Sequence, residues 1–457
     1  MSPRFGFVEP GAEWSWRGEI VGGSTTFVTM AYIVVVNPAI LAYAGIPAGP
    51  STVATILAAA FGTLLMGAWA RRPFAVAPYM GENAFLAFGL AALGITWQER
   101  LGAVFVAGAL FLLITWLGVR QRLAEAIPAD LKHSFAVAIG LFLAELGLYQ
   151  CGVFTSFATG LPAAALAGEG GLLRAPEVPV KLGDWSAPGT LLALGGILLT
   201  FALVARGVRG AILIAMVPLA AAGVALGLAP LPERWLALPF TGDAALAPIA
   251  LQLDIAGVLE PRHWAVLGTL ALMGFLDTLG TLVALGAAAG ALDERGNLER
   301  IERPMAVDAV ASMASALIGT STSGAYVESA TGIRDGARTG VASAVTAGLF
   351  LLTLFLVPVA GLLQRMPFVY APSLVVVGVL MLGSARRVAF HDLAVAIPAF
   401  ATIGLTLFTY NIANGIAAGL LLSPLALLAH GRVREVRAAG WALAAACCAY
   451  FVWGLRH

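Results

Sequence analysis

Three carboxylates stand where an apolar chain has least use for them. Glu82 lies in PYMGENAFLAFG (78–89), Asp277 in LALMGFLDTLGTLVALG (270–286) and Glu328 in TSTSGAYVESATGIRDGART (320–339). An acid at the centre of a membrane-length helix costs roughly 2.5–3.5 kcal/mol on insertion scales, so its retention points to function. No segment carries Arg or Lys at its centre. Carboxylates without a fixed cation do not suit an anionic ligand. They suit a cation or a neutral ligand rich in N–H donors, because a carboxylate accepts two such bonds in fixed directions. They also take up and release protons, which makes proton coupling through Asp277, Glu82 and Glu328 a natural expectation. Two further acids read differently. Asp308 follows Arg303 closely and is expected at the interface, and Glu145, near the end of its segment, is expected to reach water.

Other chemistries find no support. The five histidines fall at segment ends, and the three cysteines (Cys151, Cys447, Cys448) make neither a disulfide framework nor a zinc site. HExxH, a Gly-rich phosphate loop and a Ser nucleophile elbow are all missing from the sequence, so neither an enzyme nor a bound metal or organic cofactor is expected. A net charge of +1 implies no nucleic-acid partner.

The elements that must hold these acids are membrane helices. The chain of 457 residues is 60% hydrophobic and 11% charged, with mean hydropathy +0.91. Soluble domains carry roughly 25% charged residues. Runs such as 101–119 and 346–363 approach the ~20 residues that cross a bilayer, and they do not alternate as barrel strands do. The expectation is an all-α polytopic protein with about fourteen segments. With the N-terminus in the cytoplasm of a cell bounded by this membrane, nineteen Lys and Arg fall in inner loops and six in outer ones, with Arg456 unassigned. Two long loops, 151–189 and 230–261, fall outside. The run 441–455 is short for a span and fits the interface, between Arg437 and Arg456.

Fourteen segments divide as seven plus seven with opposite orientation, the arrangement of inverted-repeat transporters. PYMGENAFLAFG and GAYVESATGIRDG occupy the third place in each half, and each has Tyr, then Glu, then small residues. Both are poor helices: Pro73 and Pro78 bracket the start of the first, and TSTSG opens the second. Irregular backbone at membrane depth is tolerated only inside protein or along a cavity. Paired interruptions of this kind point to a midplane site. Half-helices starting there are expected to aim backbone N–H groups into the centre.

GGSTTFVTMAYIVVVNPAIL (22–41), MGENAFLAF (80–88), FLDTLGTLV (275–283) and TSTSGAYVESATGIRDGARTG (320–340) resemble the signature blocks of the AzgA-like branch of the nucleobase–cation symporter-2 family, purine permeases for adenine, guanine and hypoxanthine. The likeness runs from about residue 5 to 430. It implies a core domain from 18–119 and 262–362, a gate domain from 131–230 and 371–430, and leaves 431–457 as a C-terminal interfacial tail. It also implies short strands in segments three and ten, with substrate between them and segment eight. Carried over, Glu328 would grip the N–H edge of the base, with Tyr326 and Val327 beside it. Asn83 would support binding, and Asp277 would support the site or the coupling proton. Many members are dimers, and the exposed faces here carry no unambiguous contact motif.

Two departures from the pattern matter. The acid that usually stands three residues before Asp277 is replaced by Gly274, and the usually apolar residue before Asn83 is Glu82. The expectation is that Glu82 takes over the lost carboxylate from the facing strand, which puts the preferred base in doubt and could admit uracil or xanthine. A small-anion exchanger on the same fold is the competing reading, and the acids argue against it. A passive channel would need a polar stripe along several helices, whereas the polar residues cluster at one depth.

Overall fold

In the computed structural model, residues 6–9, 13–90, 94–117, 127–159, 180–260, 263–292 and 298–454 are described. The first half contains α1 (Trp16–Met30), α2 (Ile33–Leu41), α3 (Ala48–Leu65), β1 (Val76–Pro78), α4 (Met80–Ala84), α5 (Trp97–Trp116), α6 (Ala129–Gln150), β2 (Phe154–Ser156), β3 (Val180–Leu182), α7 (Pro188–Ala205) and α8 (Ala211–Ala225). The second half contains α9 (Ile255–Val258), α10 (Trp264–Ala289), α11 (Glu302–Ile318), β4 (Ser323–Ala325), α12 (Ser329–Arg334), α13 (Gly340–Leu352), α14 (Val357–Gln364), α15 (Pro367–Met381), α16 (Leu393–Phe408), α17 (Ile412–Ala429) and α18 (Ala438–Ala449). Among the described residues nine helical stretches are long and apolar enough to cross a membrane, and three shorter apolar helices accompany them.

The helices pack in two groups. α1, α3, α5, α10, α11 and α13 pack on one another, with α2 and α12 among them. α6, α7, α8, α15, α16 and α17 form the other group. Within the first group, β1 and β4 pair antiparallel, with Val76 opposite Ala325, Ala77 opposite Gly324 and Pro78 opposite Ser323. The interruptions anticipated at both places are real. Each is an extended triplet followed by a helix of one or two turns.

An isolated two-stranded ribbon leaves its outer edges unpaired, and no water is at hand inside a membrane protein to satisfy them. Hydroxyl groups do so here. Thr63 of α3 donates to the Val76 carbonyl and accepts from the Val76 amide, both at 2.9 Å. On the other edge Ser312 of α11 donates to the Ser323 carbonyl at 2.8 Å and accepts from its amide at 3.1 Å. Ser329 accepts from the Ala75 amide at 2.9 Å. Gly324 is required at the crossing, because a Cβ there would lie 2.2 Å from the Tyr79 ring.

Three features were not anticipated. A second ribbon, β2–β3, pairs Phe154 with Leu182 in the first long loop. β2 is half-exposed and β3 mostly exposed, so apolar patterning gave no sign of it. Arg100, placed among the outer-loop cations, is buried and donates to the carbonyls of Leu86, Ala87 and Ile95, closing the end of the third segment. The apolar helix 438–452 packs along α17, and Tyr450 donates to Asn414 at 2.7 Å. The stretch 160–179 of the first long loop lies outside the described residues, as do Arg4, Arg120, Arg122, Arg174, Arg262, Arg295 and Arg456.

A fully buried acid absent from the sequence reading clamps the first group. Glu19 of α1 accepts from the amides of Arg338 (3.1 Å), Thr339 (3.1 Å) and Ala342 (3.0 Å) at the start of α13. The amides of Arg338 and Thr339 precede the first turn and have no intrahelical partner, while that of Ala342 also reaches the Thr339 carbonyl at 3.2 Å. Glu19→Ala is expected to cost roughly 3 kcal/mol or more by stranding them, and Glu19→Gln should recover part of the loss. Melting of the detergent-purified protein checks this, and an unchanged Tm for Glu19→Ala would contradict it.

Candidate functional site

The strand crossing gathers the polar residues of six helices. Tyr326 sits immediately after β4, where its amide donates to the Ala75 carbonyl at 2.9 Å and its phenol donates to the Pro78 carbonyl. Tyr79, the matching residue after β1, donates its amide to the Thr322 carbonyl at 2.9 Å. The two rings are nearly parallel, with centroids 6.4 Å apart. Two residues on, Glu328 stands at the start of α12 and accepts from the Tyr32 phenol at 2.9 Å. Tyr32 occupies the short break between α1 and α2, so an interruption in the first segment supplies the partner for the acid in the tenth.

Glu82 is completely buried in α4. Across from it, near the middle of α10, is Asp277, close enough for the two carboxyl groups to interact. A Cβ on Gly81 would come 3.9 Å from Asp277 Oδ2. Neither Glu82 oxygen has a hydrogen-bond partner among the described residues. Gly274, one turn before Asp277, has open space where a side chain would project.

Asn83 is also fully buried and donates from Nδ2 to Asn37 Oδ1 at 2.8 Å. Asn37 in turn donates to Thr55 (2.7 Å) and Thr320 (2.9 Å), and accepts from Ser321 (3.3 Å). One amide therefore joins α2 and α3 to α4 and to the loop before β4. Sequence reading passed over Asn37, although a lone Asn-Pro inside IVVVNPAIL was its signal. Tyr32 had no comparable signal.

Two expectations are corrected. Asp308 is not interfacial. It is fully buried in α11, and its Oδ2 accepts from the Ala325 amide (3.1 Å), Thr278 (3.0 Å) and Tyr79 (3.4 Å). Helix α11 carries it inward from Arg303, and its task is to pin β4 against α10. The amides at the start of α12 do not point free into the centre either. Those of Ser329, Ala330 and Thr331 bond to the carbonyls of Tyr326, Val327 and Glu328, because so short a helix closes its own first turn. Glu145 is half-buried, with Oε2 enclosed and without a described partner, so water reaches it only in part.

Glu82, Asn83, Asp277, Tyr326, Val327 and Glu328 thus all lie on the elements that meet at the crossing. Glu82 and Asn83 are sealed, Asp277 and Glu328 are half-buried, and Val327 is 55% exposed. The exposed side of the crossing is accordingly at Val327. A cavity of about 170 Å³ lies elsewhere, between α6, α16 and α17, lined by Asp130, Leu131, Pro398, Ser423 and Arg432. Among the described residues no group of His, Cys, Asp and Glu could hold a metal ion.

The sequence of a permease family matches residues 17–416. The guanine/hypoxanthine permease PbuG of Bacillus subtilis is 35% identical, over 99% of this chain and 100% of its own length. The adenine permease AdeP of Escherichia coli is 34% identical, over 92% of this chain and 89% of its own. Among solved structures, the transmembrane domain of the cyanobacterial bicarbonate transporter BicA superposes with a TM-score of 0.59 at 17% identity, covering 90% of this chain and 96% of that one. At that identity the likeness concerns the fold alone.

The exposure of Val327 faces either water or lipid, and thiol chemistry separates the two. In a background with Cys447 and Cys448 changed to Ser, Val327→Cys is expected to react with N-ethylmaleimide, which needs a hydrated thiolate. Ala325→Cys, 1% exposed, should stay unlabelled. Failure of Val327→Cys to label in membranes would place that face against lipid.

Proposed function

The chain belongs to the permease family of nucleobase–cation symporters, a family of membrane transporters and not of enzymes, and from that premise we propose that it imports a purine nucleobase by proton symport. The observation that carries this reading is the set of carboxylates at the crossing with no Arg or Lys among their partners in the described residues. Glu328, oriented by Tyr32, offers an acceptor to ring N–H groups at the half-open edge. A purine presents several such donors on a flat neutral skeleton, and acceptor pairs of this kind discriminate strongly against ligands that leave them unpaired. The curated relatives named for guanine, hypoxanthine and adenine support the substrate class.

The Glu82–Asp277 pair supplies the coupling proton. Two facing carboxyl groups in an apolar interior repel when both are charged, and one proton between them removes the conflict. Binding from outside loads that proton together with the base, and release inside discharges both. The two packing groups of helices support a core (18–119 and 262–362) that carries the crossing and slides as an elevator against a gate (131–230 and 371–430). The order of segments, with β1 and β4 at the third and tenth places, supports fourteen spans in a seven-plus-seven inverted repeat. The bias of positive charge supports a cytoplasmic N-terminus in the plasma membrane. Anion exchange on the same fold is disfavoured by the acids.

Competition among labelled adenine, guanine, hypoxanthine, xanthine and uracil, with and without a protonophore, tests the reading. Saturable purine uptake abolished by the protonophore is expected, and uptake of bicarbonate or sulfate in its place would overturn it. Tyr32→Phe should raise KM roughly 10- to 150-fold, the value of one hydrogen bond to a charged group, about 1.5–3 kcal/mol. Glu82→Gln should abolish uptake or flatten its pH profile. Gly274→Asp, which has room for its side chain, should partly rescue Glu82→Gln. A normal Glu82→Gln transporter would remove Glu82 from the mechanism.

A further inference from the structure

The hydrogen bonds that end at Asn83 have a direction. In α3 the Thr55 hydroxyl donates to the Ser51 carbonyl at 2.7 Å. Its proton is thereby used, and what it turns toward Asn37 is a lone pair. Asn37 must meet it with Nδ2, at 2.7 Å, and the same Nδ2 donates to Thr320 at 2.9 Å. That fixes the Asn37 amide with Oδ1 toward Asn83, which must answer with its own Nδ2, at 2.8 Å. The remaining Asn83 proton is turned toward the Met80 sulfur at 3.9 Å. What is left over is Asn83 Oδ1, fully buried and without a partner among the described residues. An unpaired buried carbonyl costs of the order of 1–3 kcal/mol, which a ligand N–H would return.

We propose that Thr55 and Asn37 are positioning residues that hold Asn83 as a hydrogen-bond acceptor, and that this polarity selects 6-oxopurines over adenine. The inference rests on the nucleobase reading above. Hypoxanthine and guanine carry N1–H, a donor, where adenine carries a bare N1 lone pair. A fixed carbonyl rewards the first and repels the second. Without Thr55 the Asn37 amide loses the partner that dictates its orientation, both amides are free to turn over, and Asn83 can present NH₂ instead of C=O. The relay therefore governs which base is chosen more than how tightly any base is held.

Binding of labelled hypoxanthine to the purified full-length transporter, competed by guanine and by adenine, tests this. In wild type, hypoxanthine is expected to bind at least 10-fold more tightly than adenine. Thr55→Val should bring the ratio close to one, and Thr55→Ser, which keeps the hydroxyl, should preserve it. Thr55→Ala serves the same purpose should the Val variant fail to fold. A general packing defect weakens both bases alike and leaves the ratio unmoved, and that result would overturn the relay. Wild type preferring adenine would overturn it as well, while leaving nucleobase transport intact. Binding of neither base would overturn both readings together.

Discussion

Two strands of three residues cross in the interior of a protein built from membrane helices, and every unpaired edge group must find a partner there. That requirement organises the structure. Thr63 serves the outer edge of β1, and Ser312 serves the outer edge of β4, each bonding amide and carbonyl of one residue. Thr63 lies in the helix before the first interruption and Ser312 in the helix before the second. The same solution therefore appears at equivalent places in the two halves. Asp308 and Tyr326 complete it by binding an amide of β4 and a carbonyl of β1. With the ribbon satisfied, the residues just after it, Tyr79 to Asn83 and Tyr326 to Glu328, are brought together as the candidate site.

Much of this was legible in the sequence, for physical reasons that can be named. Glu82, Asp277 and Glu328 stood out because an acid among apolar residues is costly and needs a cause. The two interruptions stood out because Pro73, Pro78 and TSTSG cannot continue a helix of hydrocarbon. Short strands at those interruptions were implied by the resemblance to the family, whereas their antiparallel pairing with each other is seen only in the structure. The partners were less visible. Thr55 and Thr63 are residues of ordinary type in helices and Tyr32 is one in a two-residue break, and only distances reveal that they orient something. Asp308 misled because proximity to Arg303 in sequence says nothing of depth once a helix has made more than one turn. Glu19 escaped notice because its partners are backbone amides more than 300 residues away, which no pattern of side chains encodes.

The site that results contains acceptors in excess of donors. Glu82 has both oxygens unpaired, Asn83 one, and Asp308 one, all among the described residues. A folded protein leaves few such groups without cause. Where they converge on one crossing, the deficit supports the proposed ligand: something that brings protons on nitrogen, or protons themselves. The relatives named for guanine, hypoxanthine and adenine fit that reading.

A structure of the transporter determined with hypoxanthine bound tests the central claim most directly. The account predicts the base inside the crossing, reaching inward from the half-buried Glu328, with ring N–H groups within hydrogen-bond distance of Glu328 and of Asn83 Oδ1. A base bound away from both, or Glu328 and Asp277 opening to separate hollows, would contradict it.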